Sequence, residues 1–160
     1  MIYYFAYGSC MDEQSFAQTV GKDHYEVAGA AVLKDYQLVF SAFSKKRNGG
    51  VADLVFAPGE EVEGVLYRIT PEALEPLDER EGVPSGKYKR MDVHVCFQEQ
   101  LVRAMTYTIV NKEQEEIKPS KEYLQLIYNG ASRFLSDAYR TRLAGEWSSK
   151  FGISDFLQET

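Results

Sequence analysis

Histidine and cysteine are nearly missing from this sequence, which has two of each among 160 residues. Cys10 and Cys96 lie far apart and form no ligand spacing, so neither a metal site nor a disulfide framework is expected. They are read as free thiols in a reducing cytoplasm. No run of roughly eighteen apolar residues occurs, which excludes a membrane-spanning helix. The opening Met1-Ile2-Tyr3-Tyr4-Phe5 has no basic segment and no long apolar core, so it reads as a first strand and not as a signal peptide. Positive charge is also in deficit. Eighteen basic residues stand against 24 acidic ones, a net charge of −6. That balance argues against nucleic acid or an anionic membrane as the main partner.

Aromatic residues are plentiful, at 13% with eleven tyrosines, in a chain that is 44% hydrophobic. This composition suits β-structure and a pocket edged with hydroxyl groups. The length fits a single domain over residues 1–160. Ile2 to Tyr7 reads as a buried strand ending at Gly8. Asp12 then caps a helix over Glu13 to Val20, stopped by Gly21. Between strand and helix, the small residues Gly8, Ser9 and Cys10 could turn backbone N–H groups toward an anion, although an ordinary turn needs such residues too.

Strand signals crowd together after Tyr25. Glu26–Leu33 and Tyr36–Ser44 flank Lys34-Asp35, a candidate hairpin connection. Val51–Ala57 and Val62–Ile69 flank a second turn at Pro58-Gly59-Glu60-Glu61. The basic segment 45–50 between these pairs could attract an acidic ligand, although a solvated loop is the plainer reading. Lys87–Gln98 and Leu101–Val110 form a further pair, with Val93, Val95 and Phe97 on one face and His94 and Cys96 on the other. A polar linker, 111–119, leads to Ser120, which caps an amphipathic helix bearing Tyr123, Leu124, Ile127, Tyr128, Ala131, Phe134 and Leu135. Asp137–Leu143 is a second short helix. The tail, 145–160, is apolar enough to pack on the domain or on a partner chain, which leaves a homodimer open. The sum is about seven strands and three or four helices, an α+β domain with a strongly curved or closed sheet.

One stretch is richer than the rest. Thr70 is placed to cap a short helix and Pro71 suits its first position. The helix ends at Glu81-Gly82, where glycine can close it in the left-handed conformation. A carboxylate at a helix C-terminus has its neutral form favoured, as a proton carrier near neutrality requires. Glu81 is also one of five acids on this segment, so on local grounds a solvated face is the plainer reading.

Four pieces change that balance: Tyr4-Phe5-Ala6-Tyr7-Gly8-Ser9, Gly64-Val65-Leu66-Tyr67, Leu77-Asp78-Glu79-Arg80-Glu81-Gly82-Val83 with Ser85-Gly86-Lys87-Tyr88, and Pro119-Ser120 leading to Tyr123. In this order they resemble the γ-glutamylcyclotransferase family across roughly residues 3 to 135. The resemblance implies a small mixed β-barrel flanked by helices, with no metal and no organic cofactor. It implies conversion of a γ-glutamyl compound, a small-molecule substrate, into 5-oxoproline and a free amine. It places Glu81 as the catalytic glutamate and Tyr7, Gly8, Ser9 and Cys10 as the loop that holds the glutamyl group. Tyr88, Tyr107 and Tyr123 match the pocket tyrosines, Tyr107 and Tyr88 ahead of Tyr123. The resembled loop commonly ends in asparagine, where this chain has Cys10.

Other readings stay open at this level. A γ-glutamylamine cyclotransferase would strip a γ-glutamyl mask from a biosynthetic intermediate. An amidohydrolase would use Cys10 or Ser9 as nucleophile and would need a base such as His24 or His94 nearby. A non-catalytic module would bind a γ-glutamyl metabolite without turning it over.

Overall fold

The computed structural model describes residues 1–158. Five strands close into a barrel: β1 (Ile2–Ala6), β2 (Tyr25–Ser44), β3 (Gly49–Ile69), β4 (Tyr88–Phe97) and β5 (Gln100–Ile109), in the order β1-β3-β2-β4-β5. All neighbours run antiparallel except β1 and β5, which are parallel and close the ring through Tyr4 opposite Met105. Closure removes the free sheet edges that an open five-stranded sheet would expose. Four helices flank it: α1 (Glu13–Val20), α2 (Leu74–Glu81), α3 (Lys121–Phe134) and α4 (Asp137–Phe151).

Five strands replace the seven expected, because the two predicted turns within residues 25–69 do not reverse the chain. Lys34-Asp35 is a bulge, not a hairpin connection: Asp35 takes φ 67° and the register with β3 shifts between Lys34 and Tyr36. Opposite it, Lys34 pairs with Glu61 and Tyr36 with Phe56, so Pro58-Gly59-Glu60 is looped out of a continuous strand. The Asp35 carboxylate accepts the Gly59 N–H at 3.0 Å and ties the two irregularities together. Turn-forming residues report a local backbone kink, and a bulge needs the same conformations as a reversal. The real turn is Lys45–Asn48, where the Asn48 N–H donates to Lys45 O and Asn48 takes φ 54°. The β4–β5 turn falls at Gln98-Glu99, one residue earlier than expected, with both residues at positive φ.

The helices follow their caps with two exceptions. Asp12 accepts the Ser15 N–H, Ser120 the Tyr123 N–H and Ser136 the Tyr139 N–H. Thr70 gives no side-chain cap; its hydroxyl meets His24 Nδ1 at 3.2 Å. The helix after Ser136 does not stop at Leu143 but runs through Gly145 to Phe151. A glycine inside a helix costs about 1 kcal/mol, which the burial of a tryptophan side chain exceeds. Trp147 is that residue, 2% exposed and packed edge-on against Phe40 and Phe156. Phe151, Ile153 and Phe156 pack against the same core while Leu157 stays exposed, and residues 159–160 of the expected tail lie outside those described.

Two features hold the barrel around its working end. Gly130 on α3 faces the 3-10 turn Ser9–Met11, and a Cβ there would stand 2.2 Å from Met11 Cβ. Only glycine lets α3 press this closely on the first loop. Asp53, fully buried on β3, accepts from Ser41, Thr108, Lys112 and the amides of Leu54 and Ile109. It thereby joins β2, β3, β5 and the segment after β5. Asp53→Ala would strand these donors in the interior. A loss of about 3 kcal/mol is expected from the cost of breaking a buried polar network, measured by urea unfolding. A loss below about 1 kcal/mol would mean that the network contributes little to holding the barrel.

Candidate active site

Glu81 is the last residue of α2, and Gly82 closes the helix at φ 76°, ψ 30°. The Gly82 N–H donates to Glu79 O and the Val83 N–H to Asp78 O, the paired bonds of a Schellman closure. Residues on either side fix the direction of the Glu81 side chain. Leu77 is fully buried, and Asp78 receives Arg90 through two bonds of 2.9 and 2.6 Å and the Tyr107 hydroxyl at 2.6 Å. Burial pulls the Asp78 carboxyl up, but the Arg90 and Tyr107 hydrogen bonds outweigh it and hold the group below the usual carboxylate range. Arg80 reaches the other way, donating to Ser15 O at 3.0 Å, Thr19 Oγ1 at 2.8 Å and Ser9 Oγ at 3.1 Å. The helix is therefore clamped to the barrel by Asp78 and to α1 and the first loop by Arg80.

This clamp presents Glu81 to a recess lined by Tyr4, Tyr7, Gly8, Ser9, Cys10 and Ala52, with Tyr88, Tyr107 and Tyr123 completing the wall. The structure thus gathers every site residue expected from the sequence into one hollow. Glu81 Oε1 lies 3.6 Å from the Cys10 thiol, which donates to it across 71 residues of chain. Burial raises the Glu81 carboxyl above the ordinary glutamate value, while Arg80, the Cys10 thiol and Arg47 pull it back. Among the described residues, the N–H groups of Gly8, Ser9 and Cys10 have no backbone acceptor, as befits the first positions of a 3-10 turn. All three residues line the recess with Glu81.

The tyrosines divide by what their hydroxyls already do. Tyr7 donates to Tyr107 O at 2.6 Å, Tyr88 to Ala52 O at 2.6 Å and Tyr107 to Asp78. Those three spend their hydrogen on the framework. Tyr123 instead accepts the Ala52 N–H at 2.9 Å, which leaves its own hydrogen to give. The expected order, with Tyr107 and Tyr88 ahead of Tyr123, is therefore reversed for donation to a ligand. Burial raises all these phenols above their usual range, so they stay protonated donors.

Tyr4 and Arg80 were not singled out from the sequence. Tyr4 points inward from β1, its ring centroid 5.9 Å from that of Tyr107. A cation directly before the motif glutamate was the one available signal for Arg80. His24 is bound to Thr70 and His94 is exposed on the outer barrel face, so neither joins the recess. Cys10 therefore lacks a histidine base, and burial pushes its thiol up to about 11, the opposite of an activated nucleophile. Among the described residues no cluster of three metal-ligating side chains occurs.

The chain resembles known proteins throughout. The AIG2-like family model matches residues 61–143. Human gamma-glutamylcyclotransferase is 34% identical over 134 residues, covering 80% of this chain and 69% of the relative. A solved gamma-glutamyl cyclotransferase superposes with a TM-score of 0.82 at 31% identity, over 89% of this chain and 85% of the other. The crystal structure of YkqA from Bacillus subtilis superposes with a TM-score of 0.85 at 37% identity, over 92% of this chain and 54% of that one. The chain spans only about half the length of that bacterial relative.

Two measurements probe the recess directly. With iodoacetamide at pH 8, the partly exposed Cys96 should label in the native protein and Cys10 only after unfolding; rapid native labelling of Cys10 would show an open loop. The raised Glu81 value also has a stability consequence. An acid whose folded-state pKa is raised loses stability as pH climbs from the unfolded glutamate value, about 4.3, through the folded one. Glu81→Gln should therefore be more stable than the parent near pH 7, with the difference shrinking toward pH 4. A pH-independent difference would place the carboxyl in water.

Proposed function

The chain belongs to the γ-glutamylcyclotransferase family, and from that premise we propose that it converts a γ-glutamyl compound into 5-oxoproline and a free amine, with Glu81 carrying the protons. The observation that supports this most is the half-buried Glu81 in the same recess as Gly8, Ser9 and Cys10, whose N–H groups have no backbone acceptor among the described residues. The substrate's α-ammonium gives a proton to the Glu81 carboxylate. The freed nitrogen attacks the γ-carbonyl carbon and closes a five-membered ring. Glu81 passes that proton to the departing nitrogen and takes the second proton from the ring nitrogen. The bond from the carbon to the departing nitrogen then breaks, and the released amine collects this second proton, restoring the carboxylate. Both nucleophile and electrophile belong to one substrate, so the protein chiefly selects the folded conformer.

A carboxyl raised toward neutrality serves both halves of this cycle. It is basic enough to take the first proton and acidic enough to give it back. The row of amides offers hydrogen bonds to the substrate carboxylate or to charge growing on the γ-carbonyl oxygen. Tyr123 adds a donor on the facing wall. Cys10, at the position where related loops carry asparagine, contributes its amide to the row and its thiol to Glu81. A backbone donor survives that exchange of side chains unchanged.

The test is release of 5-oxoproline from a panel of γ-glutamyl amino acids and γ-glutamyl amines, with Glu81→Gln as control. Loss of the proton carrier should lower kcat by about 10²–10⁴-fold while the variant still binds substrate. Full activity in Glu81→Gln would remove the assignment, and release of glutamate in place of 5-oxoproline would indicate hydrolysis.

A further inference from the structure

The recess has an adjoining, more open neighbour, and the two share Ser9, Glu81, Tyr88 and Tyr123. The outer hollow is walled by Lys46, Arg47, Arg80 and Lys87, and Glu81 is the one acid bordering either space. In a chain with 24 acidic and 18 basic residues, four cations meeting round one mouth are not a random surface. Ion pairs engage basic side chains elsewhere, yet among the described residues none involves these four. Arg80 is committed to Ser9, Ser15 and Thr19, and Lys87 Nζ rests on Phe43 O at 2.5 Å. Arg47 is different. Its guanidinium lies over the Tyr123 ring, 5.5 Å from the centroid, and the Arg47 backbone N–H donates to Ser44 Oγ at 3.2 Å. Stacking of this kind orients the planar fork and leaves its edge free for a carboxylate.

Glu81 borders both hollows, and this decides which part of a substrate would meet these cations. If the amides of Gly8–Cys10 take the glutamyl end, the departing nitrogen faces the Glu81 carboxyl, and its substituent extends into the outer space. We propose that the outer hollow is a carboxylate-binding subsite for the leaving half of the substrate, with Arg47 as its specificity-determining residue and Lys46 and Lys87 in support. This inference rests on the cyclotransferase reading above. It makes leaving groups that carry carboxylates the preferred class, and it disfavours a γ-glutamyl amine, which would leave the cations without a partner.

Three substrates with one glutamyl group and different leaving halves test it: γ-glutamyl-ethylamide, γ-glutamyl-alanine and γ-glutamyl-glutamate, with no, one and two leaving carboxylates. The expected kcat/KM rises in that order, by about ten- to hundredfold from the first to the second, as charge-assisted hydrogen bonds allow. The alanine-to-ethylamide ratio should collapse toward one in Arg47→Gln, shrink less in Lys46→Gln or Lys87→Gln, and be kept in part by Arg47→Lys. It should also fall as salt rises. Equal kcat/KM for the three substrates, or a ratio untouched by Arg47→Gln, would overturn the subsite while leaving the cyclotransferase activity standing. Failure of all three to yield 5-oxoproline would instead sink the catalytic reading. Calorimetric affinities of the same compounds then decide the subsite: the same order, lost in Arg47→Gln, sustains it, and a flat order ends it.

Discussion

The structure turns on a half-buried carboxyl at the end of a two-turn helix. Exposed, Glu81 would be an ordinary surface acid with an ordinary titration. Lodged against the Cys10 thiol and beside Arg80, it is raised by burial yet not stranded, since a cation and a weak donor stand within its reach. That balance needs the helix to sit at one depth and one rotation. Asp78 sets the first through Tyr107 and Arg90, and Arg80 sets the second through α1 and Ser9.

The barrel supplies the opposite wall by spending hydroxyl groups on its own backbone. Tyr7 ties the end of β1 to β5, Tyr67 donates to Cys10 O at 2.7 Å, and Tyr88 and Tyr123 bracket the two sides of the Ala52 peptide. Such bonds satisfy carbonyl and amide groups that the first loop and β3 would otherwise bury unpaired. High tyrosine content is thus chiefly a device for holding an irregular loop rigidly over a polar hollow. Next to it, Asp53 performs the same service for five donors at once and carries the segment after β5 on Lys112. The site is stiff because its supports are buried, and its mouth is formed by the Lys45–Asn48 turn, whose cations remain at the surface.

Much of this was legible from local sequence. Asp12, Ser120 and Gly82 did what short polar residues and glycine do at helix ends, because capping is settled within a few residues. The alternation of Val93, Val95 and Phe97 gave the inward face of β4 for the same reason. Where local signals misled, the deciding contacts were distant. Asp35 and Gly59 have turn chemistry, and only the pairing of β2 with β3 makes them bulges in two long strands. The helix expected to end at Leu143 runs on past Gly145, carried by the burial of Trp147 against Phe40.

By itself, then, the sequence determined the helix caps, the strand faces, the excess of acid and the motif that brings leucine, aspartate, glutamate and glycine into one short helix. Each follows from interactions spanning a handful of residues. Tertiary structure alone decided that a five-stranded ring closes through a parallel β1–β5 contact, that Glu81 meets Cys10 across 71 positions, and that Arg47 stacks on Tyr123 beside them. Those meetings arise from the closure of the barrel and the close approach permitted by Gly130, and neither is encoded in any one stretch of chain.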